Sequence, residues 1–277
     1  MRELQIGGRR IADDTDTYVI ADIGHDPWGD LERAQVLFLQ AAMAGAHAVA
    51  LDAGSLFAVT RYDQPDGEPY GGRVPPAGHR EFGRAEYAMV AELAADAGLD
   101  LVPTAFDRTS VEFLRDLGTA PPAVRIGPAD LADEPLLKDA AGLGRPLLVG
   151  VRDAGADEVR RAVDAVLPVN PDLALLQCAE PYPRTATELR LGGIVTLLAE
   201  YPDLVVGFAG NDVCPEQSWI AHAVGARVVA KRVPPDRGGA GRHHRLALDP
   251  LGLVRYDGGR RWGGGVTAPV RTGRGGW

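Results

Sequence analysis

The chain has 277 residues, 45% of them hydrophobic, with a net charge of −9 and a pI near 5.2. That acidic balance argues against a nucleic-acid binder, which presents a basic face. The N-terminus Met-Arg-Glu-Leu-Gln-Ile has no apolar signal core, and no run of about 18 apolar residues offers a membrane span, so a soluble cytoplasmic protein is expected. The cysteines, Cys178 and Cys214, form no closely spaced framework, which fits a reducing compartment. The basic residues are almost all Arg; only Lys138 and Lys231 are Lys.

In chain order, residues 3–13 come first. Ile6 and Ile11 flank Gly7-Gly8-Arg9-Arg10, a pattern that predicts a two-stranded hairpin placed to plug the bottom of the domain. Short apolar runs then recur at Tyr18–Ile23, Ala48–Leu51, Leu99–Thr104, Ala123–Ile126, Pro146–Val151, Leu173–Cys178, Leu204–Phe208 and Ala226–Ala230. Between them lie Leu31–Ala44, Arg84–Ala97, Val111–Leu117, Asp157–Leu167, Thr187–Tyr201 and Glu216–Val224. In these segments apolar positions sit three or four apart, as in Val159, Ala162, Val163 and Val166, the period of an amphipathic helix. Asp107 or Thr109 caps the helix at Val111–Leu117. Strands apolar on both faces that alternate with helices predict a parallel sheet covered by helices. Eight repeats predict an α/β fold closed into a (β/α)8 barrel over residues 1–256. Residues 53–80 form a long connection rich in Gly, Pro, Asp and Tyr, expected on the catalytic face. Residues 257–277 hold eight glycines with Arg260, Arg261, Arg271 and Arg274 and are expected to form a flexible tail.

Several segments carry a resemblance in the right order. They are Tyr18-Val-Ile-Ala-Asp-Ile-Gly24, Gly29-Asp-Leu-Glu-Arg-Ala34, Ala44-Gly-Ala-His-Ala-Val49 and Thr104-Ala-Phe-Asp107. Arg125-Ile-Gly-Pro-Ala-Asp-Leu131, Leu175-Leu-Gln-Cys178 with Tyr182-Pro183, and Gly225-Ala-Arg-Val-Val-Ala-Lys231 with Asp236-Arg237 complete the series. Together they resemble the catalytic barrel of the sialic acid synthase family over about residues 4–255. The resemblance implies condensation of phosphoenolpyruvate with an N-acetylated amino sugar, with release of phosphate. It also implies a divalent metal, often manganese, held by two histidines. Those histidines lie in a Leu-Leu-His-Cys run and a Gly-Tyr-Ser-Asp-His run. The matching positions here are Gln177 and Asn211. An amide oxygen is a poor substitute for imidazole on a transition metal, so the family's metal is expected to be weakly held or absent.

Other family positions also differ. A second-strand lysine is Ala50, a fourth-strand lysine is Arg125, and a nearby serine is Pro128. A Ser-Thr-Gly turn reads Gly150-Val151-Arg152, and the first-strand glutamate is Asp22. Thr104, Asp107, Cys178, Lys231 and His244 match the family. No counterpart is expected of its C-terminal antifreeze-like domain, which lends an arginine to the dimer partner's site.

The candidate residues are chosen for their places at strand ends, where a barrel keeps its catalytic groups. Asp22, Lys231 and Thr104 are the catalytic candidates, with Asp22 as acid/base or orienting group. Arg125, Arg152, Asp52, Gln177, Asn211 and His244 are candidates for substrate binding, the arginines for a phosphate or carboxylate. Each has a structural alternative. Arg125 and Arg152 could pair with a strand-end aspartate, and Lys231 with Asp22 or Asp212. His25, Asp26, Asp212 and His244 form an alternative metal set, since barrel closure makes the first and eighth strands neighbours. Cys178, flanked by apolar residues, reads as a buried small hydrophobe.

The expected function is a divergent carbon–carbon bond-forming transferase or aldolase-like enzyme of specialised biosynthesis. Its substrate is a small anionic or sugar-derived molecule, phosphoenolpyruvate among the candidates. Two other readings stand beside it. One is a metal-independent lyase, isomerase or hydrolase. The other is a non-catalytic pseudo-synthase that binds a sugar or a partner synthase. A homo-oligomer or a protein partner is compatible with each.

Overall fold

A computed structural model describes residues 2–24, 26–53, 82–118, 120–152, 155–179, 191–210 and 215–233. The chain opens with an antiparallel hairpin, β1 (Glu3–Ile6) and β2 (Arg9–Ala12), in which Leu4 faces Ile11 and Ile6 faces Arg9. Its turn is Gly7-Gly8 alone; Arg9 and Arg10 belong to the strand. Both glycines have positive φ, +52° and +80°, which a two-residue hairpin turn of the right twist demands.

The eight barrel strands are β3 (Tyr18–Gly24), β4 (Ala48–Ala53), β5 (Asp100–Ala105) and β6 (Val124–Ile126), then β7 (Leu147–Val151), β8 (Leu173–Ala179), β9 (Val205–Gly210) and β10 (Val228–Arg232). They pair in parallel, in sequence order, and β10 closes onto β3. The fold is the (β/α)8 barrel that the eight apolar runs predict. The helices are α1 (Leu31–Met43), α2 (Arg84–Asp96), α3 (Arg108–Arg115), α4 (Glu134–Ala141), α5 (Ala156–Val166), α6 (Gly192–Glu200) and α7 (Pro215–Ala223). Helix α3 starts three residues before its predicted start. Asp107 is its cap, accepting from Ser110 N and Oγ, both at 2.7 Å. Helix α4 was not predicted. It is short, and the sequence signal is confined to Asp133 as cap and Pro135 in the first turn. The connection at 53–80, the tail at 257–277 and the start of the helix predicted from Thr187 lie outside the described residues, apart from Ala53 in β4.

Two apolar layers result from strand alternation. Val19, Ala21, Ile23, Val49, Leu51, Val149, Val206 and Phe208 pack outward against the helices. Ile20, Ala48, Ala50, Val102, Leu148, Leu176 and Ala230 fill the barrel interior. Leu4, Ile6 and Ile11 of the hairpin join this inner layer, so the hairpin seals the barrel at the N-terminal ends of its strands. Tyr18 Oη donates to Asp100 Oδ2 at 2.6 Å beside it. A Cβ on Gly7 would overlap the Asp100 carboxylate, so the turn fits only as glycine. With its bottom closed, the barrel keeps its polar strand ends at the opposite, C-terminal mouth.

Candidate functional site

The inner face of the pleat determines which strand-end side chains meet. In β3 that face carries Ile20 and Asp22; in β4, Ala50 and Asp52; in β5, Val102 and Thr104. In β6 it carries Arg125, and in β10 Ala230 and Arg232. Cα pairing sets Asp52 beside Thr104, Thr104 beside Arg125, and Arg232 beside Asp22. Asp22, Asp52, Thr104 and Arg125 therefore share one mouth, as expected from their positions. Arg152 comes one residue after β7 and continues the alternation of Leu148 and Gly150.

Asp22 is the hub. Arg125 Nη1 donates to its Oδ2 at 2.5 Å, and Arg232 Nη1 donates to its Oδ1 at 3.3 Å. Arg232 Nη2 also reaches Asp26 Oδ2 at 3.4 Å. All four side chains are largely buried. Burial by itself pushes the Asp22 carboxyl up, but the charges of Arg125 and Arg232 and the Arg125 hydrogen bond outweigh it and hold its pKa below the usual value. Arg125 is also desolvated, which favours its neutral form. The charge and hydrogen bond of Asp22, with smaller contributions from Cys178 and Asp52, overcome that and raise its pKa. Arg125 is thus permanently charged and Asp22 is ionised at neutral pH.

Thr104 is 4% exposed, and its Oγ1 has no hydrogen-bond partner among the described residues. A buried hydroxyl in that state is a candidate to meet a ligand. Two packing features shape the mouth. The strand β3 has an irregularity between Asp22 and Gly24, and Gly24 has φ +53°. A Cβ on Gly24 would run into the guanidinium of Arg232, so the glycine makes room for it. On the other side, a Cβ on Gly150 would meet Pro128 at 2.8 Å and Cys178 Sγ at 3.1 Å. Pro128, at the start of a 3-10 turn (Pro128–Asp130), closes that side with a ring and no hydroxyl.

Two expectations are corrected by the pleat. Lys231 is fully buried, but it pairs with Ala21 on the outward face and lies 5.8 Å from the Phe208 ring centroid, in the layer against the helices. Gln177 pairs with Phe208 on β9, and its side chain sits against Gly193 at the start of α6; its Nε2 donates to the Cys178 carbonyl at 3.4 Å. Neither side chain shares the inward face of Asp22. Arg232 is the residue that sequence reasoning missed. Counting by two from the inward Val228 and Ala230 would have found it. Cys178 lies on the inward face and donates to the Leu176 carbonyl at 3.3 Å. The candidates His25, Asn211, Asp212 and His244 lie outside the described residues.

The fit to a divalent metal is poor among the described residues. Gln177, at one of the two family positions, is turned toward α6. Asp26, from the alternative set, is engaged by Arg232, whose guanidinium occupies the place a cation would take between Asp22 and Asp26. Among the described residues no three His, Cys, Asp or Glu side chains form a metal cluster.

The fold and the arginine–aspartate cluster at its C-terminal mouth define a (β/α)8 barrel with a charged mouth, and comparison with known proteins defines the family. Residues 40–256 match the NeuB family, and the chain belongs to it. The N-acetylneuraminate-9-phosphate synthase of Drosophila melanogaster is 30% identical over 246 residues, covering 85% of this chain and 65% of that protein. The human N-acetylneuraminate-9-phosphate synthase is 27% identical over 252 residues, covering 88% and 69%. The Bacillus subtilis spore coat polysaccharide biosynthesis protein SpsE is 28% identical over 288 residues, covering 98% and 75%. The chain thus spans about two thirds of the length of the fly and human relatives. Among solved structures, the sialic acid synthetase of Leptospira borgpetersenii superposes with a TM-score of 0.86 at 24% identity, covering 98% of this chain and 92% of that one, a likeness of fold. Among the described residues, no helix is long and apolar enough to cross a membrane.

Proposed function

We propose that the chain is a carbon–carbon bond-forming synthase of the sialic acid synthase type. Its substrates are a small anion of the phosphoenolpyruvate class and a sugar-derived aldehyde. One observation carries this reading: a permanently charged, inward-facing Arg125 stands beside the Thr104 hydroxyl, which has no partner among the described residues, at the mouth of a barrel whose other end is sealed. The family membership supplies the class of chemistry. In that chemistry C3 of the enol phosphate attacks the aldehyde carbon, water adds at C2, and phosphate leaves.

The residues divide that work. Arg125 uses one terminal nitrogen on Asp22, and the rest of its planar fork suits a carboxylate or phosphate. Thr104 offers its hydroxyl to a substrate oxygen one strand away. Asp22 is held ionised, so it does not serve as a general acid at neutral pH; it orients the arginines. Asp52, beside Thr104, completes the polar row.

The test is phosphate release from phosphoenolpyruvate in the presence of N-acyl amino sugars and their phosphates. The expected result is release that depends on the sugar and falls by about 10²-fold or more in Arg125→Met, the scale for losing a group that stabilises developing charge. No release with any such sugar, from a folded protein, would sink the proposal.

A further inference from the structure

We propose that Arg232 is a positioning residue that keeps Arg125 available to the substrate anion by sharing the Asp22 carboxylate. The inference rests on the reading of Arg125 as the anion anchor and adds a device that controls it.

The geometry has three parts. First, the two guanidinium groups take different oxygens of one carboxylate: Arg125 holds Oδ2 and Arg232 holds Oδ1. Arg232 lies on β10, directly beside β3, whereas Arg125 lies on β6, three strands away around the barrel. The carboxylate is therefore held between two different directions. Second, Arg232 is itself seated. Its other terminal nitrogen reaches Asp26, which is 2% exposed, and its guanidinium lies where Gly24 has no side chain. Third, an Arg–carboxylate pair left to itself tends to close into two parallel hydrogen bonds. Without Arg232, Asp22 can turn both oxygens onto the Arg125 fork. An incoming carboxylate or phosphate would then compete with a resident one, in a site too buried for water to screen the contest. With Arg232 in place, Arg125 is ion-paired through one nitrogen only among the described residues.

This role predicts a pattern that direct contact does not. If Arg232 touched the substrate, its loss would be irreparable at Asp22. If it acts by sharing Asp22, neutralising Asp22 repairs its loss. The experiment is titration calorimetry of phosphoenolpyruvate, with inorganic phosphate as a second probe. The proteins are the wild type, Arg232→Gln, Arg232→Lys, Asp22→Asn and the double variant Arg232→Gln/Asp22→Asn, each checked for folding by thermal melting. Arg232→Gln is expected to weaken binding about tenfold or more, and Arg232→Lys about threefold or less. The double variant is expected to bind within about threefold of Asp22→Asn alone, the signature of coupling through Asp22 in a double-mutant cycle. Should Arg232→Gln fail to fold, Arg232→Met, which keeps the aliphatic stem and removes the guanidinium, takes its place with the same expected loss and the same rescue.

Unchanged binding in Arg232→Gln overturns the inference. So does a loss that Asp22→Asn does not repair, which would make Arg232 a direct contact. A wild type that binds neither anion overturns both this inference and the proposed function. A wild type that shows the whole binding pattern, yet releases no phosphate with any sugar, overturns the proposed reaction alone.

Discussion

Asp22 has both carboxylate oxygens committed to arginines, and that fact governs its titration as well as its role. Its pKa in the folded protein is below its ordinary value, despite the burial that opposes this, because of Arg125 and Arg232. In the unfolded chain it returns to the ordinary carboxylate value. The folded state therefore binds the proton less readily than the unfolded state. The stabilisation is fully present above the unfolded pKa and is lost as pH falls through the folded one. Urea unfolding of Asp22→Asn should show a protein less stable than the wild type at pH 7, by about 3–5 kcal/mol if both arginines lose their buried counter-charge. The gap should narrow as pH is lowered through the acidic range. A gap that stays constant with pH would show that the carboxylate's charge is not what stabilises the mouth.

At the scale of elements, different ends of the strands do different work. The hairpin and the caps maintain the scaffold. Ile11 is 1% exposed in the inner layer, and Ile11→Ala should cost about 2–5 kcal/mol by leaving a cavity. Because the hairpin closes the end opposite the mouth, anion affinity in that variant should stay near the wild-type value, measured by calorimetry below its melting temperature. Asp107 lies in a stretch that matches the family, yet its carboxylate caps α3 through Ser110. Asp107→Ala should cost about 1 kcal/mol of stability, read from the urea midpoint, with little change in anion binding. A large loss of binding with unchanged stability would instead place Asp107 in the site.

For the whole molecule, a barrel sealed at one end and polar at the other should respond to ligand as a unit. If the anion binds only the folded state, phosphoenolpyruvate at about 100 times its dissociation constant adds about 2.7 kcal/mol of stability. The melting temperature of the wild type should rise with ligand concentration, and that of Arg125→Met should not. Equal shifts in the two would locate anion binding away from Arg125.

The architecture was legible along the chain because its signals are local. Eight apolar runs spaced by helix-period segments force the strand–helix alternation, and the glycine pair between Ile6 and Ile11 forces the hairpin. Asp107 before an amphipathic run marks a helix start for the same reason. Even the arginine–aspartate pairing of Arg125 was open to sequence as the structural alternative to anion binding. The site was less legible, because facing is a property of the pleat and not of identity. Lys231 looked distinctive as one of two lysines, yet it lies against Phe208, while its plain neighbour Arg232 turns inward onto Asp22. Gln177 sits where a ligand was expected and faces α6. One step along a strand exchanges the two faces of the sheet, so a strand boundary uncertain by a residue leaves the inner ring undetermined. Sequence alone established the barrel, its sealed end and which strand ends are polar. Closure of β10 onto β3 and the register of those strands established that Arg125 and Arg232 meet on one carboxylate, a contact between residues 103 and 210 positions from Asp22 that no local pattern encodes.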